Sequence, residues 1–482
     1  MDLTGAEFSA VIVFAQQFHI STIEPEGSTY KGGIVSSAPA STSPEQPAHQ
    51  DYPHVDVPAD RRSLGASVIG QLLEWFEWSS YAVFAPFIAA AMFDKSDPTS
   101  ALLSTFGVFA IGFLFRPLGG IVFGRIADRK GRKNVLMTTI IMMAFASVVI
   151  GLLPTYETIG VWASLGLLLI RIVQGFAHGG ESATANSYIP EIAPPAHRGK
   201  WGSLVYVAIF GGSVIAYTLG GIISLALTDE QIAAWAWRIP FWLGAAAAMF
   251  ALYLRRHMKE SDHFEELDTV VDAPGSHIEQ APSAAAPKRS QLANIMLIIG
   301  MVSGVTASHY TWTSYVSTYA ITHEGMPTQG AYWVTVAAQA IGLVALPLWG
   351  SLSDRIGRKP VMYTFAIALG LLQIPLMNFI DSRPWTLLVA STLAIIVVAA
   401  GGALLASIMS EVFPTAQRTR SIGLAYSLSV AVFGGTAPYI YQWFVARELV
   451  WASGAYVVLM CILTLVSMKI LPETTGVDLR HV

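Results

Sequence analysis

The chain has 482 residues, of which 53% are hydrophobic and only 12% charged. An ordinary soluble domain is roughly a quarter charged, and here apolar stretches of membrane-spanning length recur almost from end to end. A net charge of -4 gives no basis for a nucleic-acid partner, which would demand a clustered basic surface.

Residues 1 to 62 are rich in Ser, Pro, Thr and Glu, with one short apolar run from Phe8 to Ala15. They are expected to form a disordered cytoplasmic tail. Asp2 and Glu7 are the only early charges, which does not fit the basic start of a secretory signal. From Gly65 onward come about twelve apolar segments of roughly 18 to 28 residues. They are centred near Tyr81, Gly112, Ile141, Leu169, Gly211, Ala247, Ser308, Val344, Ala368, Ile395, Val430 and Val457. In lipid only a helix satisfies its backbone polar groups within its own segment, so the expected fold is an all-α membrane protein with twelve transmembrane helices. The longest loop, 257–290, is acidic and rich in Pro and Ala. It reads as a cytoplasmic linker between a six-helix bundle at 63–256 and a second at 291–470, followed by a tail at 471–482.

Of the 28 Lys and Arg, 17 fall in the alternate loops that begin with Arg125 to Lys133, while the opposite loops hold only Lys95, Arg238, Arg383 and Arg447. Positive residues stay on the cytoplasmic side, so both termini are expected there. The single cysteine, Cys461, lies in an apolar run, which leaves no internal disulfide and no cysteine cluster for a metal. With no phosphate-binding glycine loop and no nucleophile elbow, neither an enzyme nor a cofactor is expected.

An internal repeat divides the chain. GRIADRKGRKNVL (Gly124 to Leu136) recurs as GSLSDRIGRKPVM (Gly350 to Met362), with seven of thirteen positions identical. Glu191, Pro194 and Arg198 likewise match Glu411, Pro414 and Arg418 at the same spacing. Each half reads as a copy of the other. In the loop copies Gly124, Asp128, Arg129, Gly131 and Arg132 place a tight turn and several charges between two helix ends. Such charges can bridge elements that must separate and rejoin, so these positions and their second-half counterparts are read as gates.

Within the spans the ionisable residues are Glu74, Glu77, Arg116, Arg171, His178, Glu181 and His309. Each charge costs about 2.5 to 3.5 kcal/mol at the bilayer centre, so these groups must pair or face a wet cavity. Glu74, Glu77 and Tyr81 share one helical stripe at i, i+3 and i+7, beside Trp75 and Trp78. Two carboxylates so close cannot both ionise cheaply, and one can carry a proton; alternatively one simply pairs with an arginine. Gly112, Arg116, Gly120 and Gly124 recur every four residues and give a small-residue packing face with one guanidinium in it. That fork suits a substrate carboxylate or a permanent partner at Glu74 or Glu77. Gln174, His178 and Glu181 share another face, beside Arg171, Gly175 and Ser182, where His178 can relay protons or serve packing. The second half contributes His309, Tyr310, Trp312, Tyr315 and Tyr319 in one span and Gln339, Gln373, Asn378 and Gln442 in others. Aromatic faces there suit packing, or contact with a planar or cationic substrate.

The doubled G-x-x-x-D-R-x-G-R-K loop resembles the signature of the major facilitator superfamily. EWFEW (Glu74 to Trp78), FLFRPLGG (Phe113 to Gly120), RIVQGFAHGGE (Arg171 to Glu181), YIPEIAPPAHRG (Tyr188 to Gly199) and RIPFWLG (Arg238 to Gly244) resemble its metabolite:proton symporter family. That group includes permeases for alpha-ketoglutarate, citrate, shikimate and proline or betaine. The resemblance covers residues 65 to 470. It implies two pseudo-symmetric six-helix bundles rocking about a central site near the membrane midplane. It also implies Asp128, Arg129, Arg132, Asp354, Arg355 and Arg358 as gate residues, and Arg116, Arg171 and Glu181 as members of the central charged network. Relatives commonly have Glu-Trp-Tyr/Phe-Asp-Phe where this chain has Glu77 and Trp78, an acid one methylene longer and a bulkier aromatic.

The resulting expectation is a monomeric, multi-pass carrier of a bacterial inner membrane that imports a small organic acid with protons. Arg116 or Arg171 would bind the carboxylate, with Tyr81, Gln174, Tyr310 and Tyr315 as further contacts. Glu74, Glu77, Glu181 and His178 would handle the proton; Glu191, Arg198, Glu411 and Arg418 would join the gate. One competitor is an osmolyte carrier, with Trp75, Trp312 and Tyr315 caging a cation; others are a drug-exporting proton antiporter and a sensor that binds without transport.

Overall fold

The computed structural model describes residues 61–130, 132–179, 182–256, 290–414, 417–477 and 479. The expected tail before residue 61 and the expected linker after residue 256 lie outside them. The described chain is helical, and its helices fall into the expected segments, numbered here as spans.

Span 1 is Arg61–Val83 continued by Ala85–Met92; span 2 is Pro98–Leu114 continued by Arg116–Lys130; span 3 is Arg132–Leu152. Span 4 is Val161–His178, extended beyond its break by Ser182–Ile192; span 5 is Arg198–Ala226 and span 6 Ile239–Arg256. In the second half, span 7 is Gln291–Tyr310 running on through Thr311–Tyr315 to Val316–Thr322; span 8 is Thr328–Ile356 and span 9 Arg358–Phe379. Span 10 is Pro384–Gly402 with Leu405–Val412; span 11 is Arg418–Ser429 running through Val430–Gly434 to Ala437–Val445; span 12 is Val450–Ile470.

Local chemistry explains several boundaries. Span 2 starts at Pro98, whose missing N–H costs nothing in a first turn, and Asp97 accepts a hydrogen bond from Ser100 N at 3.0 Å. Ser290 caps span 7 by accepting from Ala293 N at 3.3 Å. Span 2 is interrupted at Phe115, two residues before Pro117, which has no N–H to return to the preceding turn. Spans 7 and 11 each widen into a π-turn, Thr311–Tyr315 and Val430–Gly434, a distortion common at functional sites.

The packing carries the two-fold relation implied by the repeat. Span 3 packs on span 6 as span 9 packs on span 12; span 2 lies on span 4 as span 8 lies on span 10; span 1 lies on span 5 as span 7 lies on span 11. The halves meet along span 5 with span 8 and along span 2 with span 11, an exchange of equivalent elements. Backbones approach very closely both within a bundle and between the halves. A Cβ on Gly175 would stand 1.8 Å from the Gly112 carbonyl oxygen, and one on Gly350 would stand 2.5 Å from that of Gly199. Among the described residues, eight helical stretches are individually long and apolar enough to cross a membrane. Large apolar side chains such as Leu152, Trp162, Leu292, Leu371 and Trp451 face outward, a surface suited to lipid rather than water.

Candidate functional site

Span 1 directs its two acids to different neighbours. Glu74 is ion-paired with Arg116, both side chains at most 3% exposed. His178 Nδ1 lies 3.0 Å from Glu74 Oε1, and Gln71 Nε2 donates to Glu74 Oε2 at 3.1 Å. The close approach of spans 2 and 4 lets Arg116 and His178 converge on one carboxylate. Gly112 and Gly120 of the predicted small-residue face do lie against span 4; the surroundings of Gly124 are outside what is described. The guanidinium of Arg116 also lies 5.1 Å from the Trp78 ring and 4.8 Å from that of Phe113, which places a cation on aromatic faces where water is excluded.

Glu77 turns instead toward span 3. Ser147 Oγ donates to Glu77 Oε1 at 2.6 Å, Gln174 Nε2 donates to Ser147 Oγ at 3.1 Å, and Arg171 Nη1 donates to Gln174 Oε1 at 2.8 Å. The Arg171 guanidinium sits 4.1 Å from the Trp78 ring centre and 4.2 Å from that of Tyr81. Among the described residues its Nε and Nη2 have no hydrogen-bond partner, and neither does Glu77 Oε2. Unpaired charged donors in a buried site are costly, which marks this edge of Arg171 as one built to meet an acceptor. Tyr81 OH donates to the Thr105 carbonyl at 3.0 Å.

The second half closes over these charges with aromatic rings. Tyr310 lies 6.0 Å from Trp75 and 5.3 Å from Phe113, and His309 lies 5.9 Å from Trp75. The Tyr310 hydroxyl and His309 Nδ1 have no partner among the described residues. Trp312 Nε1 donates to Gln373, whose amide donates in turn to Tyr441 OH. Tyr315 OH donates to Gln442 at 2.9 Å, and its ring contacts Phe106, Tyr319 and Tyr441. Trp75 thus stands with His309 and Tyr310, while Trp312 and Tyr315 are engaged with spans 9 and 11 and meet through Tyr441, so Trp75 belongs to a different cluster from the other two rings considered for a cation cage. Gln339 is buried and reaches the Thr313 carbonyl at 3.5 Å; Asn378 is exposed beside the end of its helix. Sequence reasoning passed over Ser147, Tyr206 and Tyr426. The two tyrosines lie within electrostatic reach of each other across the halves, and lone hydroxyls in apolar runs give no signal of that.

At the end bearing the loop copies, charge locks the halves together. Asp354 accepts from Gly199 N at 2.8 Å and Lys200 N at 3.0 Å, a carboxylate at the positive N-terminus of span 5. Arg358 pairs with Asp354 at 2.8 Å and with Glu411 at 3.0 Å. Arg198 reaches Glu411 at 3.3 Å and Arg418 reaches Glu191 at 3.1 Å. Arg355 is exposed. In the first loop copy, Asp128, Arg129 and Arg132 lie on described helices but their side-chain surroundings do not belong to the described part; Gly131 and Glu181 fall outside it altogether.

The carboxyl-terminal segment lies across this lock. Glu473 accepts from Arg358 N and Lys359 N at 2.8 and 3.0 Å, Thr474 donates to Glu411 at 2.7 Å, and the carbonyls of Val477 and Leu479 accept from Arg198 and Arg418. Partial burial pushes the Glu473 carboxyl up, but the backbone N–H groups of Arg358 and Lys359, with Thr475, outweigh it and hold the group below its ordinary value.

At the opposite end the halves touch through hydrogen bonds, Tyr332 OH to the Val83 carbonyl at 2.6 Å, Tyr217 OH with Ser317 Oγ at 2.6 Å and Thr328 Oγ1 to Asp229 at 3.3 Å. A cleft of about 300 Å³ there is lined by Pro86, Lys95, Leu102, Thr322, His323 and Gln442 among others. Gln442 joins it to the Tyr315 ring cluster.

The comparisons agree with this architecture. The model of the family described as "Sugar (and other) transporter" matches residues 63–482. The alpha-ketoglutarate permease of Escherichia coli (strain K12) is 35% identical over 379 residues, covering 78% of this chain and 85% of that protein. A putative proline/betaine transporter of Staphylococcus haemolyticus (strain JCSC1435) is 33% identical over 427 residues, covering 88% and 90%. Among solved structures, the major facilitator superfamily proton:xylose symporter XylE superposes with a TM-score of 0.66 at 18% identity, covering 87% of this chain and 97% of that one; that likeness establishes the fold, twelve helices in two related bundles. By sequence and by fold, the chain belongs to the sugar (and other) transporter family of the major facilitator superfamily.

Proposed function

We propose that the protein imports a small organic acid together with one or more protons by alternating access. The observation that carries this reading is Arg171, buried between Trp78 and Tyr81 with Nε and Nη2 unpaired among the described residues. A guanidinium fork donates two parallel hydrogen bonds to a carboxylate. A sugar offers no negative charge to match it. Arg116 is ion-paired with Glu74, whereas Arg171 donates only to the neutral amide of Gln174, which makes Arg171 the first contact and Arg116 a second once Glu74 is protonated. Tyr81, Gln174, Tyr310 and Tyr315 complete the binding surface, and Glu74, Glu77, His178 and Glu181 are the proton-handling groups. Substrate and proton together neutralise the site, which lowers the cost of occluding it in low dielectric.

The distribution of Lys and Arg supports placing the loop copies and both termini on the cytoplasmic side of a bacterial-type inner membrane, with the protein acting as a monomer. The bundles are then 63–256 and 291–470. The charged lock among Glu191, Arg198, Asp354, Arg358, Glu411 and Arg418 is the cytoplasmic gate, and it must part before substrate is released inward. The cleft at the other end is the route of entry.

The similarity to putative proline/betaine transporters supports a second reading, import of a zwitterionic osmolyte whose carboxylate meets Arg171. Uptake into liposomes with the purified protein separates them. Labelled alpha-ketoglutarate, other dicarboxylates, citrate, shikimate, proline and betaine are compared with and without an inward proton gradient. Gradient-stimulated accumulation of an acid is expected; entry of proline or betaine alone would favour the second reading, and binding without movement would overturn both.

A further inference from the structure

Ser147 on span 3 carries no charge and takes no part in the cycle just described, yet it is fully buried and touches both the acid Glu77 and the amide Gln174. The chemistry of the chain fixes its direction. An arginine can only donate, so Gln174 must turn its carbonyl oxygen to Arg171 and its NH2 group to Ser147. The serine oxygen is then an acceptor, and its own proton is left to donate to Glu77. Every bond therefore runs from cation to anion, Arg171 to Gln174 to Ser147 to Glu77. Such chains are charge-assisted at both ends and polarise one another.

The site is shaped for this acid. A Cβ on Gly244 of span 6 would lie 2.8 Å from Glu77 Oε1, so the carboxyl fills a niche between spans 3 and 6 that a glycine keeps open. A side chain one methylene shorter would withdraw the carboxyl from Ser147 by about 1.5 Å and break the chain. The charged groups that act on Glu77 are Arg171 from span 4 and Glu74 from its own span; Ser147 and Gly244, which face its Oε1 from spans 3 and 6, do not titrate.

We infer that Ser147 and Gln174 are positioning residues that make the availability of Arg171 for substrate depend on whether Glu77 holds a proton. The inference rests on the reading in which Arg171 takes the substrate carboxylate. With Glu77 ionised, the chain is drawn tight and Nη1 of Arg171 is committed to Gln174. A proton that bonds to Oε2 leaves Oε1 a carbonyl, a weaker acceptor. The chain slackens, and Nη1 joins Nη2 and Nε as donors for the substrate. Release of the proton on the other side restores the chain and expels the substrate.

The test compares wild type with Ser147→Ala and Ser147→Thr in liposomes, using labelled alpha-ketoglutarate as probe. Gradient-driven uptake and gradient-independent exchange are both followed from about pH 5 to 8. Ser147→Ala should keep exchange within about twofold, lose about tenfold in gradient-driven accumulation as expected for a hydrogen bond to a charged group, and show a KM that no longer follows pH. Ser147→Thr, which keeps the hydroxyl, should restore the pH dependence. A KM in Ser147→Ala that follows pH as in wild type would overturn the relay, because a merely structural serine would depress both activities without reshaping the profile. Failure of wild type to accumulate the probe would instead count against the transport reading. In that event infrared titration of the detergent-solubilised protein still decides the relay. The carboxyl band lost in Glu77→Gln must change its titration midpoint in Ser147→Ala, and an unchanged midpoint rejects it.

Discussion

Arg198 of the first half pairs with Glu411 of the second at 3.3 Å, and the repeat-related Arg418 and Glu191 return the same contact in the other direction at 3.1 Å. The identical spacing of the two motifs in sequence becomes a reciprocal bridge in space because the two-fold relation exchanges span 5 with span 11. A lock built this way breaks and forms on both sides at once, which suits an all-or-none gate.

Glu411 is the shared acceptor of that lock, holding Arg198, Arg358 and Thr474. Glu411→Gln should weaken closure of this end by an amount on the order of 3 kcal/mol, the low end for removing one partner of a buried pair. Spin labels placed on either side of the lock should report a longer distance population than in wild type. An unchanged distance distribution would show that the lock does not hold the closed state.

Arg116→Gln removes the cation that compensates buried Glu74. Uptake should disappear, with protein still present in the membrane, and thermal stability should fall by about 3–5 kcal/mol. Adding Glu74→Gln to the same chain should recover most of the stability but none of the uptake. Transport by the single variant would remove Arg116 from the site.

Arg171→Lys keeps the charge and loses the planar fork. KM for an acid should rise about tenfold or more, while Tyr315→Phe, which costs one neutral hydrogen bond to Gln442 of about 1 kcal/mol, should change it only severalfold. Equal effects of the two would argue that the guanidinium does not meet the substrate.

Glu473 supplies a pH dependence at the charged lock between the halves. Its carboxyl is held below the ordinary glutamate value in the folded protein, so its stabilisation is complete above the unfolded value of about 4.3 and is lost as pH falls through the lowered folded value. Protection of the Arg358 and Lys359 amides, which it caps, against hydrogen exchange relative to the intrinsic rate at each pH should fall over that acid range in wild type. Glu473→Gln should show low protection already at neutral pH, with little further change in protection on acidification.

The twelve spans, the duplicated charged loop and the short roster of intramembrane charges were legible in the sequence, because the cost of placing a residue in lipid is a local property and repeated motifs need no geometry to be seen. The partners of those charges were not. Glu74 and Glu77 share one stripe of one helix, yet Glu74 meets Arg116 and His178 while Glu77 meets Ser147. Nothing in the spacing distinguishes the two acids, since their surroundings come from spans 2, 3, 4 and 6. Ser147 has no sequence signal, because a buried serine acquires a role only from what packs against it. The segment after Ile470 reads as a polar tail, and only the tertiary structure shows its carbonyls accepting from Arg198 and Arg418. Composition decided which solvent the chain occupies; helix packing decided which charges meet, because pairing depends on the approach of segments far apart in sequence.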